Sequence, residues 1–450
     1  MKEIIATKQK RILFANFPAD GHFNPLTGIA IYLVEAGYDV RWYSSLNYAN
    51  KLKKLNIHHY RFKKAVDVPD NNFDAIFPER MKKKNPISKL KFDIINAFIL
   101  RGPEYYEDIK DIYDEFPFDL LIADCAFTGA PFIKDLMHIP VLSVGVMPLT
   151  ENSKDLPPCG LGMEPSHSFA GKIKQRLLRA FADKVIFGQP NKILHQLFDQ
   201  YKIKHNKQSL FDMLIYKCDY LLQSGTPGFE YKRSDMSKNI RFIGPLLPHA
   251  SSIETKCYDE RLDLFEKVVV VTQGTVEKDI NKLLVPTLDA FKNTSTLVVC
   301  TTGGSGTEEL CAKYPYQNII IKDFIPFSQV MPYADAYITN GGYGGVMLGI
   351  QNRLPLVVAG VHEGKNEICA RVGYFKYGIN LKTERPTPAQ VRAAVQEVTS
   401  NSIYKQNVKK LAHEFTQYNP YELCRQYVVA LTEQAANAKT KLKAIVSYNG

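Results

Sequence analysis

No stretch of the chain reaches the roughly 20 uncharged apolar residues that a membrane-spanning helix needs. The longest apolar runs are strand-sized, as at 268–271 and 356–359, so integral membrane association is not expected. Cysteine is sparse and scattered: eight residues, from Cys125 to Cys424, form no CxxC pair and no compact Cys/His cluster. Neither a zinc site nor a disulfide framework is expected from that spacing. The opening MKEIIATKQKRILFANF carries charges where a signal peptide has its apolar stretch, which points to a cytoplasmic address. Also missing are GxGxxG and the GxxxxGK loop followed by Ser or Thr, so dinucleotide dehydrogenases and P-loop enzymes lack their fingerprints.

What is present is globular material. Of 450 residues, 45% are hydrophobic and 23% charged, which supports well-buried structure in a chain too long for one ordinary core, so two domains are expected. The net charge of +11 favours anionic ligands or acidic surfaces without specifying one. The basic run of Arg80, Lys82, Lys83 and Lys84, followed by Lys89 and Lys91, fits a membrane-surface or nucleic-acid patch, but a solvated helix flank is the commoner origin of such runs. No nucleic-acid partner is expected.

The chain reads as one α/β theme played twice. Ile12, Leu13 and Phe14 make a strand, residues 18–25 a Gly/Pro turn, and Leu26, Ile29, Ala30 and Leu33 recur at helical spacing. Strands at 38–43, 120–123 and 140–146 with helices between predict a mostly parallel, Rossmann-like sheet. Residues 66–114, rich in aromatics and lysines, read as a helical insertion. Around 242–259 glycine, prolines and a polar SSIETK stretch break the periodicity. The theme then restarts with strands at 267–272, 296–301, 319–321, 336–338 and 356–358. The expected division is a domain at 1–247, a linker at 248–262, a second domain at 263–415, and a helix and tail at 416–450, the helix returning to the first domain.

Where a parallel strand gives way to a helix, free N–H groups and the positive end of the helix dipole can hold phosphate. In TNGGYGG, residues 339–345, four of seven residues are glycine. A tight turn needs two glycines, and four fit a diphosphate cradle better. Gln273-Gly274-Thr275 also follows a strand, and its hydroxyl offers a second phosphate contact. The TTGGSG turn at 301–306 reads as an ordinary flexible loop. His22 sits in PADGHFNP after the first strand, where α/β enzymes keep their ligands. An imidazole there can take a proton from an attacking hydroxyl; a local hydrogen-bonding cap explains the histidine equally well from position alone. Asp124 closes another strand on the same edge, able to orient that imidazole or to cap the next helix.

At these residues the sequence resembles the family 1 glycosyltransferases, most closely the bacterial macrolide-type group of that GT-B-fold family. The likeness spans nearly the whole chain: GHFNP at 21–25, Ala123-Asp124, FIGPL at 242–246, VTQGT at 271–275, FIPF at 324–327, TNGGYGG at 339–345, Leu354-Pro355 and EGKNE at 363–367. The resemblance implies two Rossmann-like domains, the first holding an acceptor and the second a nucleotide sugar. It implies His22 as catalytic base with Asp124 as its partner. Donor contacts fall to Gln273, Gly274, Thr275, Phe324, Ile325, Asn340, Gly342, Tyr343, Gly344 and Gly345. The resemblance also implies transfer that inverts the anomeric centre and needs no metal or cofactor beyond the donor as co-substrate, since in the family amide N–H groups stabilise the departing diphosphate.

Departures gather on the donor side. Asn340 replaces the family's usual histidine, Leu348 its ribose-binding glutamate, and Gly364 and Lys365 its sugar-binding Asp-Gln pair. Lys365 is expected to reach a hydroxyl or phosphate, and Glu363 either replaces the aspartate or is surface charge. A UDP-sugar, with glucose first, is the expected donor and a dTDP-sugar the alternative. A non-catalytic helper of a partner transferase would tolerate these losses, but the retained His22 and Asp124 argue against it; an epimerase is disfavoured by GHFNP. The aromatic insertion, with Phe17, Phe23 and Phe127, suits a small apolar acceptor bearing a hydroxyl, although core packing accounts for most such rings. A monomer or weak dimer is expected.

Overall fold

The structure, a computed structural model, describes residues 9–68, 73–247, 259–362 and 364–448. Its strands are β1 (Arg11–Ala15), β2 (Asp39–Ser44), β3 (His58–Arg61), β4 (Leu120–Asp124), β5 (Val141–Gly145), β6 (Tyr220–Ser224), β7 (Ile240–Gly244), β8 (Lys267–Thr272), β9 (Thr296–Thr301), β10 (Ile319–Lys322), β11 (Ala336–Thr339), β12 (Leu356–Val358) and β13 (Gly378–Asn380). Two parallel sheets result, ordered β3-β2-β1-β4-β5-β6-β7 and β10-β9-β8-β11-β12-β13. The expected linker falls, at 248–258, outside the described residues.

Each sheet is buried on both faces, which explains why its strands read as continuous apolar runs. Ile12 and Phe14 face one core, shared with the helix Asp20–Glu35, while Leu13 and Ala15 face another, shared with the helix Arg101–Glu115. In the second sheet Val268 and Val270 serve one core, Val269 and Val271 the other. Four strands escape sequence reading. His-His-Tyr-Arg of β3 has no apolar run, β13 is three residues long, and β6 and β7 lie among loops whose turn residues hide their short alternations.

The halves are joined by more than the linker. The helix Pro420–Tyr448 crosses back to pack on the Asp20–Glu35 helix, β4 and β7, and its Cys424, Val428 and Leu431 complete the first sheet's core. Conversely, Phe229, just after β6, is fully buried in a core of the second sheet. Arg371 and Glu230, both buried, pair at 3.0 Å between the halves, where removing either partner would strand a charge.

Candidate active site at two switch points

In an open parallel sheet the crevice for a ligand opens where strand order reverses, outside the carboxyl ends. The first sheet reverses between β1 and β4, and the second between β8 and β11. His22 follows β1, and Asp124 ends β4, whose Ala123 pairs with Ala15 of β1. The Gln273-Gly274-Thr275 loop follows β8, and the glycine-rich loop follows β11. Both groups of motifs read from sequence therefore flank a switch point.

His22 lies in the first turn of the helix Asp20–Glu35, not in a free turn as its glycine and prolines lead one to expect. Ala19 at the N-cap makes no side-chain cap bond, so the usual signal of a helix start is missing. The imidazole Nδ1 lies 2.6 Å from Asp124 Oδ1, and the carboxylate is fully buried. Asp124 also accepts the Ala126 N–H at 2.8 Å on Oδ1 and the Phe17 N–H at 2.5 Å on Oδ2. With both carboxylate oxygens accepting, the matching imidazole tautomer donates from Nδ1 and leaves Nε2 as the acceptor. The approach to His22 is fixed by a residue that sequence reading missed. Buried Asn16 accepts from Trp42 Nε1 at 2.8 Å and donates to the Phe17 carbonyl at 2.7 Å.

Cys125 brings a third potential ligand atom to within 4.8 Å of His22 and Asp124. Burial, and then the charge of Asp124, push its thiol up to about 12. A thiolate is therefore costly, and both Asp124 oxygens already accept backbone N–H groups, a donor set that fits a proton relay better than a cation.

The three aromatic candidates part company. Phe17 meets the His22 ring edge-on at 5.5 Å and stacks on Phe98 at 4.5 Å, making an apolar wall beside the imidazole. Phe23 is fully buried against Trp42 and Tyr48, and Phe127 is fully buried against Tyr105 and Tyr43. Both are core residues and are not presented to an acceptor. Phe98, which sequence reading did not single out, is half-buried and stacks on Phe17 instead.

In the glycine loop, Gly341 is required by the fold. Its φ is +80° and an added Cβ would lie 2.3 Å from Cys369 Sγ. Gly344 is different, because a Cβ there would meet nothing within 4 Å, and at Gly342 and Gly345 the contacts are ordinary. Folding thus does not demand these three glycines. Gly342 caps the helix Tyr343–Gln351, whose first N–H groups have no intrahelical acceptor. The Tyr343 ring points away, its hydroxyl donating to the Ser224 carbonyl at 2.6 Å across to the first sheet, so only its backbone is available to a donor. The His22 helix packs against this glycine-loop helix.

Asn340 donates its amide to the Gln273 carbonyl at 2.5 Å. It ties the two switch-point loops together, which uses one of its two amide hydrogens. Gln273, Asn340 and Lys365 line one small cavity with Glu277, Lys282 and Glu384. The Gln273 side-chain oxygen there is buried without a hydrogen-bond partner. Glu277 and Lys282 lie in one segment after β8 and Glu384 far along the chain, and they carry no motif, so only the fold brings the three together. Lys282 pairs with both carboxylates, at 2.5 and 3.1 Å.

Thr275 is exposed and Phe324 is 69% exposed, whereas Ile325 is buried in the core. Glu363 lies outside the described residues. Glu367 turns away from the cavity, accepting the Gly160 and Gly162 N–H groups and pairing with Arg371. The 301–306 turn, expected to be a loose loop, is bound in place. The Gly303 N–H donates to the Asp323 carbonyl, and a Cβ at Gly303 would lie 2.6 Å from the Gly274 carbonyl oxygen.

Two parallel sheets, each with its reversal carrying a site loop, define the class: the fold is that of the GT-B glycosyltransferases. A solved glycosyltransferase of kitacinnamycin matches over 95% of this chain and 100% of its own, with a TM-score of 0.72 at 16% identity. The family model described as "Erythromycin biosynthesis protein CIII-like, C-terminal domain" matches residues 287–431. The chain is 30% identical over 406 residues to 4'-demethylrebeccamycin synthase of Lentzea aerocolonigenes, covering 90% of this chain and 95% of that protein. It is also 30% identical over 422 residues to UDP-glucosyltransferase 1 of Beauveria bassiana, covering 88% and 90%. The chain belongs to the macrolide-type family 1 glycosyltransferases and is an enzyme of that class. Among the described residues no helix is long and apolar enough to cross a membrane.

Proposed function

We propose that the enzyme transfers a sugar, glucose first, from a UDP-sugar to a hydroxyl of a small apolar or aromatic acceptor, with inversion and without a metal. The observation that carries the reading is the 2.6 Å contact of His22 Nδ1 with buried Asp124, which leaves Nε2 as a proton acceptor. The acceptor hydroxyl gives its proton to Nε2 as its oxygen bonds to the anomeric carbon. The bond from that carbon to the diphosphate oxygen breaks on the opposite face, which inverts the centre. Asp124 stabilises the imidazolium that forms.

The departing charge falls to the N–H groups at the start of the Tyr343–Gln351 helix, with Thr275 beside them. Three glycines that folding does not require support that assignment. Phe324 offers a stacking face for the base, while half-buried Leu348, packed against the core, leaves the ribose hydroxyls without the family's carboxylate. The cavity at Lys365 is the proposed sugar pocket. On the acceptor side, Phe17 and Phe98 form one wall, and a small cavity lined by Cys125, Met147, Pro148 and Leu149 begins one residue beyond Asp124. On this reading residues 1–247 bind the acceptor and 263–415 the donor.

A thermal-shift screen against UDP-, dTDP- and GDP-glucose, followed by transfer to a simple phenol, tests the proposal. UDP-glucose should raise the melting temperature most and yield product. His22→Ala should keep the shift and lose transfer. A larger shift with dTDP-glucose would overturn the uridine assignment, and near wild-type turnover by His22→Ala would overturn the base.

A further inference from the structure

The helix Phe169–Phe181 shows solvent an apolar stripe. Phe169, Ile173, Leu177 and Phe181 are 82%, 47%, 66% and 52% exposed, and Val185 beyond them is also exposed. On a 3.6-residue helix a stripe with steps of four drifts by roughly 40° per step. The helix changes to π geometry over Ala182–Ile186, and the wider turn offsets that drift, bringing Val185 back into line. Single exposed apolar residues are ordinary, but a continuous row marks an interaction surface.

The charges around the stripe are of one sign. Segment 169–186 contains Lys172, Lys174, Arg176, Arg179 and Lys184 against the single acid Asp183. Lys172, Lys174, Arg176 and Lys184 are exposed, while Arg179 turns in to the Leu156 carbonyl. The helix Pro86–Asp93 packs against the π segment. It and the turn before it add exposed Leu90 and Met81 with exposed Lys82, Lys83 and Lys84.

We propose that this face docks the enzyme peripherally on a lipid bilayer rich in anionic headgroups. Apolar side chains at helical spacing, bordered by cations, suit insertion at the boundary of headgroups and acyl chains. A second copy of the chain is the poorer occupant, because a two-fold contact would set two arrays of lysines against each other. The location also has a use. The Pro86–Asp93 helix runs straight on into the π-helix Ile94–Ile99, whose Phe98 stacks on Phe17 beside His22. The docked face is thus continuous with the proposed acceptor wall, and an apolar acceptor dissolved in the bilayer is held next to it. The docking itself does not depend on the donor or the base.

Sedimentation of the full chain with vesicles tests this, using phosphatidylcholine alone and a mixture rich in phosphatidylglycerol. Binding to the anionic vesicles, weakening as salt rises, is expected. The variants Phe169→Ser/Leu177→Ser/Phe181→Ser and Lys172→Glu/Lys174→Glu/Arg176→Glu should each weaken it by at least about tenfold. Both alter only exposed side chains, and circular dichroism with the melting temperature verifies their folding. Absence of binding, equal binding to both vesicle types, or wild-type binding by either folded variant would overturn the proposal. So would a concentration-dependent dimer that the serine variant abolishes in a protein that ignores vesicles.

Discussion

Replacing Asp124 with Asn tests the proposed base through the atoms that hold it. The wild-type carboxylate accepts three N–H groups, from Ala126 and His22 on Oδ1 and from Phe17 on Oδ2. An asparagine offers one oxygen. With that oxygen in the Oδ1 place, its NH2 group meets the Phe17 N–H and two donors collide. With the amide turned over, the oxygen serves Phe17, the NH2 group donates to His22 Nδ1, and only the Ala126 N–H is orphaned. Each arrangement keeps two bonds and sets the NH2 group against one backbone N–H, but that clash is tighter at Phe17, 2.5 Å away, than at Ala126, 2.8 Å away, so the second should prevail. It moves the imidazole hydrogen to Nε2, the atom that must accept the proton. One orphaned buried donor costs about 1–3 kcal/mol of stability, while transfer should slow by about 10² to 10⁴. The assay is kcat for transfer from UDP-glucose to a phenol, read beside the donor-induced melting shift, which should persist. A variant within about threefold of wild-type kcat would refute the claim that Asp124 sets the tautomer.

Gly344→Ala should leave the fold intact or stabilise it by about 0.5–1 kcal/mol, since the site is helical and open. The same change should raise the donor KM by putting a methyl group in the diphosphate cradle; an unchanged KM, measured with the melting temperature, would mean that no phosphate sits there. Cys125 should resist iodoacetamide at pH 8 in the native protein, because its thiol is held near 12, and should react once denatured; rapid native labelling counted by mass spectrometry would contradict this. For Glu277 and Glu384, partial burial raises the carboxyl pKa, but Lys282 outweighs it and the net shift is below the ordinary 4.5. Their stabilising effect is full above that value and fades as pH falls through the lower folded ones. Lys282→Ala should therefore flatten the fall in melting temperature on acidification below pH 4.5.

The fold was legible where strands are buried on both faces, because β1, β4, β8, β9 and β11 then read as unbroken apolar runs. It was illegible at β3, a polar edge, and at β13, whose Gly-Ile-Asn carries a single large apolar side chain and so leaves no pattern. The loops at the two switch points were legible because glycines or a histidine directly follow a strand, although position alone left His22 with a capping role as an equal explanation. Phe23 and Phe127 misled because sequence places an aromatic ring near a site without saying which way it points. Asn16, Phe98 and the Lys282–Glu384 pair were hidden for a complementary reason: each is recognised only through a partner distant in sequence, Trp42, Phe17 and one another respectively.

The exchange of core residues between the two halves bears on how members of this family can be recombined. Val428 and Leu431, each worth about 1.5–3 kcal/mol when buried, belong by sequence to the end of the chain and by packing to its beginning. Phe229 makes the opposite crossing. Functional modules and contiguous sequence therefore do not coincide. A chimera that swaps the second half at a single junction would graft a foreign helix onto the first, whereas one cut near 247 and again near 419 would keep the first sheet's core native and leave Phe229 as the crossing contact to match. The working unit of exchange is an internal cassette, not a terminal half.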